Sequence, residues 1–283
     1  MTPEVPAPGV RVSLAGAWLA VLGLALLTLT LGVGCAPHPG VPPALTGGAR
    51  EAEFRAALAQ REARDHAMNA AITLWVRAPN SQVWPGVTAA LTLRAPDASR
   101  LRVASVLGTA FDGAVRGDSV LAVLPTRGLG FAADASRDPL GLKRPGVLSF
   151  RMLAAAWRPP DDAWARGRWS ADTLALLWME EGDSLRLAIG PDGLPLAVVL
   201  ERGDSLRVRV AYRGWKRHAR IAWPSWIELE LGSGALFARC KIDRLRFVTG
   251  AGPSRPMMRL PAGATTSDWP EFRRTLERAW GPR

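Results

Sequence analysis

Apolar and polar residues alternate along most of the chain beyond residue 68. The run 206–213 is typical, with Leu206, Val208, Val210 and Tyr212 on one face and arginines or alanine on the other. Similar alternation occurs at 87–94, 101–107, 185–189 and 227–231. A period of two predicts antiparallel strands with one buried face and one face in water. Gly-Asp pairs at 117–118, 182–183 and 203–204 separate such runs, and predict hairpin turns.

The alternation slips once, in the last long strand. Ala238, Cys240 and Ile242 share one face, whereas Leu245 and Phe247 fall on the other face if the period is kept. One extra residue repairs the pattern, and we therefore predict a β-bulge near Asp243.

Three segments have helical spacing instead. Residues 50–67 read as an amphipathic helix, and Glu271–Trp280 reads as a short terminal helix. The segment Val147–Trp157 follows Pro145, a residue that suits a first helical turn, and carries Arg151 as its one charged residue. A helix that is apolar nearly all round must be buried or must cover an apolar surface.

The N-terminus carries an uncharged apolar run, Leu14–Leu31, after Arg11. Small residues and then Cys35 follow it directly, as at the end of a signal peptide. This arrangement resembles the lipobox of bacterial lipoproteins, although Gly32 stands where leucine is usual. The resemblance implies that Cys35 carries fatty acyl groups such as palmitate. An uncleaved N-terminal anchor and soluble export are the alternatives.

These observations divide the chain into four parts. Residues 1–34 are the expected signal peptide, and residues 35–48 are the lipidated cysteine with a Pro/Gly-rich tether. Residues 49–249 form the β domain, and residues 250–283 form a C-terminal extension with a short helix.

The composition limits the classes of function that this chain can have. The formal charge is +11, which favours anionic lipid for a domain held near a membrane. No nucleic-acid motif accompanies that charge. The three histidines are dispersed and the two cysteines are far apart, so we expect no metal and no cofactor. Catalytic motifs are absent from the sequence, and we expect a protein that is not an enzyme.

Three stretches resemble the lipoprotein-carrier fold of the LolA/LolB type. They are the opening helix with the strand MNAAITLWV, the Leu107-Gly108 turn with its following hairpin, and the closing hairpin at 223–247. The resemblance covers roughly residues 50–248 and implies a mainly β fold with helices, a curved antiparallel half-open barrel covered by helices. It also implies that Leu107 and Gly108 form a membrane-delivery loop. Leu107 as the last inward residue of its strand is the structural alternative.

The leading hypothesis is a membrane-anchored binding protein whose half-barrel cavity takes acyl chains of lipoproteins or other lipids. Cavity and lid would then involve Leu148, Met152, Trp157 and Trp178. Expected partners are membrane lipid, lipoprotein acyl chains and a periplasmic carrier, with a monomeric protein at the periplasmic face of the outer membrane. A structural or adaptor lipoprotein without ligand is the alternative. A hydrolase that uses Glu180, Asp183 or Asp204 is the third reading.

Overall fold

The computed structural model describes residues 47–62, 67–77, 86–105, 108–134, 144–203, 206–218, 221–232, 236–248 and 260–280. The expected signal peptide, Cys35, most of the tether and Leu107 lie outside the described residues.

Strands dominate the described residues, and four α-helices and one 3-10 turn accompany them. The strands are β1 Ala67–Arg77, β2 Val87–Arg94, β3 Ala98–Ser105, β4 Gly108–Arg116, β5 Ser119–Leu124, β6 Leu129–Asp134, β7 Arg168–Ser170, β8 Thr173–Glu180, β9 Asp183–Ile189, β10 Pro195–Arg202, β11 Leu206–His218, β12 Ile221–Leu231, β13 Leu236–Val248 and β14 Thr265–Ser267. The helices are α1 Gly47–Glu62, α2 Pro145–Ala154, α3 Asp161–Ala165 and α4 Trp269–Trp280, and the 3-10 turn is Pro125–Arg127.

All of these strands belong to one sheet. Its order is β14-β6-β5-β4-β3-β2-β1-β13-β12-β11-β10-β9-β8-β7, so that β1 and β13 join two antiparallel meanders. The pairing is antiparallel except between β14 and β6. The order ends at β14 on one side and β7 on the other, and the sheet is therefore open. Helices pack on the sheet, which confirms the predicted mainly β, half-open barrel with covering helices.

The alternating sequence explains why one face of this sheet is the core. On β9, Leu185, Leu187 and Ile189 are at most 3% exposed, whereas the intervening Arg186 lies in solvent. The same pattern holds on β10 and β11, whose inward residues Val198, Leu200 and Val210 are buried. Each Å² of apolar surface that is buried contributes about 25 cal/mol to the free energy of folding, and this gain determines which face becomes the core. We call it the inner face, and the opposite one the outer face.

The predicted bulge is confirmed. Ala71 pairs with Arg244 and the next residue, Ile72, pairs with Ile242, which leaves Asp243 without an opposite residue. The extra residue restores the inward direction of the apolar residues that follow it, as the slipped alternation requires.

Two helix boundaries differ from the prediction. The expected helix over 50–67 ends at Glu62 as α1, and residue 67 begins β1 instead. The helix predicted to reach Trp157 ends at Ala154, because Ala155 adopts a left-handed conformation with φ +50°. Pro160, with an extended backbone, precedes the short helix α3.

The C-terminal extension shares the core of the β domain. Thr265–Ser267 pairs with β6 as β14, and Phe272 on α4 is 1% exposed against Phe131. The terminal helix predicted for Glu271–Trp280 begins slightly earlier, at Trp269. None of the helices in the described ranges combines the length and the apolar character needed to cross a bilayer.

Candidate functional site

Helix α2 lies across the inner face of β2–β5. Its N-terminus is held by backbone contacts with two turns: Gly146 N donates to Gly117 O at 2.8 Å, and Gly117 N donates to Asp97 O at 3.0 Å. A Cβ atom at Gly146 would lie 2.2 Å from Asp97 O. Glycine is therefore the residue that lets the first turn of α2 approach the sheet so closely.

Side chains tie the rest of α2 to both halves of the sheet. Ser149 Oγ lies 2.6 Å from Ser99 Oγ on β3. At the other end, the Tyr212 hydroxyl donates to Met152 O at 2.9 Å and accepts a hydrogen bond from Trp157 Nε1 at 3.0 Å. The helix thus connects β3 with β11 across the inner face.

Two ion pairs link α2 and the residue before it to the β8–β9 turn. Arg151 Nη1 lies 2.7 Å from Glu180 Oε1, and Arg144 Nη1 lies 3.1 Å from Glu181 Oε1. Both pairs are partly exposed, so each contributes little to the free energy of folding. Their role is to orient α2 over the hairpin, and they can separate at small cost.

A small cavity lies between α2 and the sheet. Its volume is about 40 Å³. Its walls are mainly apolar and come from α2, β1, β2, β3, β4 and β13, including Ser149, Leu153, Ile72, Leu74, Leu91 and Cys240. This volume is enough for only a few water molecules, so the cavity is far too small for an acyl chain. With α2 in place, the part of the inner face beneath Ser149 and Leu153 therefore has no room for an acyl chain.

Cys240 lies on the wall of this cavity and is 1% exposed. Burial raises the pKa of its thiol from 9.0 to about 12, and the negative charge of Asp243 adds to the shift. The thiol is therefore protonated and unreactive while α2 stays closed. This agrees with the expectation from the sequence that Cys240 is a small buried apolar residue.

The residues predicted for the cavity and lid lie on or next to α2. Leu148 and Met152 are half-buried on the helix, and Trp157 directly after it is 1% exposed. Trp178 is buried on β8, and its Nε1 donates to Glu180 Oε2 at 3.4 Å. Their part in a ligand cavity stays a prediction.

The predicted delivery loop and anchor are described only in part. Gly108 begins β4 with φ +111° and has open space around its Cα, as an exposed turn residue would. Leu107 and Cys35 lie outside the described residues.

Two of the carboxylates considered for a hydrolase, those of Asp183 and Glu180, form ion pairs with arginines. Asp183 is 6% exposed and binds Arg202 through two hydrogen bonds of 2.5 and 2.7 Å. Glu180 pairs with Arg151, as described above. Asp204 lies outside the described residues.

Sequence reasoning missed the groups that hold α2 down. Ser99 occupies an inward position of β3, beside the buried Leu101 and Val103. A serine within an apolar alternation is the signal that could have indicated a polar contact there. Tyr212 is the single tyrosine of the chain, and it too occupies a buried position. The glycine at position 146 carried no signal without the contacts in three dimensions.

Comparison with solved structures returns proteins of the predicted type. A LolA superfamily protein from Nitrosomonas europaea shares 8% identity, with a TM-score of 0.49 over 71% of this chain and 94% of that one. A "putative outer membrane lipoprotein-sorting protein domain" from Vibrio parahaemolyticus shares 12% identity, with a TM-score of 0.45 over 71% of this chain and 93% of that one. A DUF1329 family protein from Desulfovibrio piger shares 9%, with a TM-score of 0.41 over 72% and 94%.

LolA superfamily proteins are thus among the structures to which this chain is similar, as the sequence resemblance predicts. No protein-family model matches the sequence. No curated protein matches it either. The order and register of the strands define the fold.

Proposed function

We propose that this protein binds acyl chains of lipoproteins or other lipids on the inner face of its sheet, and that α2 is the lid that must move to admit them. The observation that carries the proposal is the surface beneath α2. Ile72, Leu74 and Leu91 form a continuous apolar wall that the helix covers. Each methylene that a ligand buries there contributes about 0.8 kcal/mol, so such a wall needs few polar groups to bind lipid.

The way in which α2 is held supports its movement. It is flanked by Arg144 with φ +49° and Ala155 with φ +50°, so both of its ends are sharp turns rather than continuations of a helix. The polar contacts of α2 and its flanking residues include one serine pair, the Tyr212 hydroxyl on Met152 O and two partly exposed ion pairs. Release of the helix would break these contacts and expose the buried Phe150 and Ala154.

In this proposal the protein is a binding protein and not an enzyme. It is anchored through Cys35 at the periplasmic face of the outer membrane, acts as a monomer, and receives its cargo from a periplasmic carrier. Membrane lipid is its other partner, and Leu107 with Gly108 delivers the chain to the bilayer.

A disulfide that locks the lid tests the proposal. Ser99 and Ser149 have hydroxyl oxygens 2.6 Å apart, so the two side chains are close enough for cysteines at these positions to be joined by a disulfide. The variant S99C/S149C is made with C240A, which removes the other thiol of the cavity. Binding of a fluorescent fatty acid is measured with the disulfide formed and after its reduction.

The locked protein should bind at least about tenfold more weakly than the reduced protein, and reduction should restore binding. The single variant S149C with C240A is the matched control, and should not respond to reduction. Equal binding by locked and reduced protein would show that α2 is not the lid.

A structural or adaptor protein without ligand is the second candidate. The small cavity beneath α2 favours it, since its volume is about 40 Å³ and the core residues Trp157, Leu176 and Leu187 are at most 1% exposed. It predicts no saturable binding of fatty acid by the reduced variant or by the unmodified chain.

A further inference from the structure

The outer face of β8–β10 carries an apolar surface that no described element covers. The register places its residues in three neighbouring rows across these strands. Leu177 is 50% exposed and Met179 is 65% exposed, both large values for apolar side chains. We call this surface the outer patch, and it consists of Ala175, Leu177, Met179, Ala188, Ala197 and Val199.

Arginines lie within and beside the outer patch. Arg186 lies between Leu177 and Val199 in the middle row of the sheet. Arg168 lies opposite Ala175 on the edge strand β7. Both are exposed, and neither has an ion-pair partner among the described residues. The surface is thus apolar and positively charged at once, which is the composition that an anionic bilayer attracts.

Two more arginines extend this charge onto β11. Arg209 lies opposite Val199 on the neighbouring strand, and Arg207 lies opposite Glu201 in the next row. Their carboxylate partners are Glu230 at 3.7 Å and Glu201 at 3.2 Å. The unpaired charges therefore lie at the β7–β9 side of the outer patch, around Leu177.

The membrane-attached end of the chain joins the domain at the same side. Arg50, near the start of α1, lies 3.3 Å from Asp172 in the β7–β8 turn, and its guanidinium stands 5.2 Å from the Trp169 ring. The apolar run Leu14–Leu31 and Cys35 precede α1, with eleven residues between Cys35 and Gly47. Those residues span at most about 40 Å when extended. A lipid anchor on Cys35 would therefore keep the start of α1 within about 40 Å of the bilayer.

We propose that the outer patch docks on the surface of a bilayer that contains anionic lipid. Leu177 and Met179 enter the interface, and Arg168 and Arg186 contact lipid phosphates. This inference does not depend on the movement of α2, because the outer patch lies on the opposite face of the sheet. Docking would fix the orientation of the anchored domain instead of leaving it free on its tether.

Oxidative footprinting of the full chain tests the docking. The protein is reconstituted through its own anchor into vesicles of phosphatidylcholine alone or of equal parts phosphatidylcholine and phosphatidylglycerol. Hydroxyl radicals label exposed side chains, and mass spectrometry gives the rate at each residue. Val248, which is 38% exposed on β13, is the internal control.

Oxidation of Met179 and Leu177 should slow about fivefold in the anionic vesicles, while Val248 keeps its rate. High salt should remove most of the protection, because it screens the arginines. The variant R186E should remove it also, whereas R94E, with the same change of charge at an exposed arginine on β2, should keep it.

Equal oxidation of Met179 in the two kinds of vesicle would overturn the proposal. Protection that R186E leaves unchanged but that grows with the number of proteins per vesicle would overturn it too, and would assign the outer patch to a second copy of this chain. Loss of fatty-acid binding in the lid experiment would leave the footprint unaffected.

Discussion

Replacement of Gly146 by alanine tests the close packing of α2 more directly than any other single change. In an ordinary helix this substitution stabilises the protein by up to about 1 kcal/mol, because alanine has the better helix propensity. Here the new methyl group would lie 2.2 Å from Asp97 O and 2.5 Å from Gly117 N. These neighbours are backbone atoms in two turns, and they cannot move aside as a flexible side chain could.

The cost can be worked out from these contacts. The first turn of α2 must retreat from the sheet, and the hydrogen bond from Gly146 N to Gly117 O is then stretched or lost. Overpacking of a rigid site costs about 1–3 kcal/mol, and a buried polar group without a partner costs about 1–3 kcal/mol. We expect G146A to lower the free energy of unfolding by about 2–6 kcal/mol.

Two measurements check this expectation. Urea unfolding gives the change in stability, and the rate at which an alkylating reagent modifies Cys240 reports whether α2 has lifted from its cavity. The matched control is G128A, where φ is +60° but nothing lies within 4 Å of the added Cβ. It should lose about 1–2 kcal/mol through backbone strain alone, with no faster alkylation of Cys240. A G146A protein that is as stable as the unmodified chain and equally slow to alkylate would refute the reasoning.

Three further predictions concern single side chains. Because burial raises the pKa of Cys240 from 9.0 to about 12, the free energy of unfolding should not depend on the ionisation of this thiol below pH 9. Above pH 9 the free energy of unfolding should fall by roughly 1 kcal/mol per pH unit. Comparison with C240A in urea titrations at alkaline pH isolates the effect. Tyr212→Phe leaves Met152 O and Trp157 Nε1 without this partner and should cost about 1–3 kcal/mol in urea unfolding. Asp183→Asn should destabilise the β8–β9 hairpin by about 1–3 kcal/mol through Arg202, and a stability equal to that of the unmodified chain would contradict a structural role.

The strands were predictable because their signal is local. Alternation in a run such as 206–213 needs only neighbouring residues to specify which side chains face the core. Even the bulge at Asp243 follows from the sequence, since an odd residue in the alternation must be accommodated somewhere. The end of α2 was not predictable in this way. Ala155 and Ala156 are good helix formers, yet the chain turns at Ala155, and Trp157 just beyond the turn is buried and donates to Tyr212 on a distant strand.

The contacts that hold α2 were beyond the sequence for a different reason. Ser99 and Ser149 are fifty residues apart, and although Ser99 stands within an apolar alternation, neither residue indicates the other as its partner. The same holds for Arg151 and Glu180, which belong to elements that meet only after the sheet has formed. The sequence predicted that an apolar helix covers something apolar; which atoms secure it depends on the register of two separate hairpins.

A ligand beneath α2 has to compete with the helix for the same apolar wall, and this competition makes a prediction about acyl length. The cavity of about 40 Å³ means that the helix must move before an acyl chain enters beneath it. The cost of its release is the same for every ligand, whereas the gain grows by about 0.8 kcal/mol, or about fourfold in affinity, with each methylene. Short fatty acids should therefore fail to bind, and affinity should rise steeply along a series of longer ones until the wall is filled. Titration of such a series against the reduced S99C/S149C protein measures the slope, and the locked protein should show none. An affinity that does not change with acyl length would mean that the inner face is not where the chain lies.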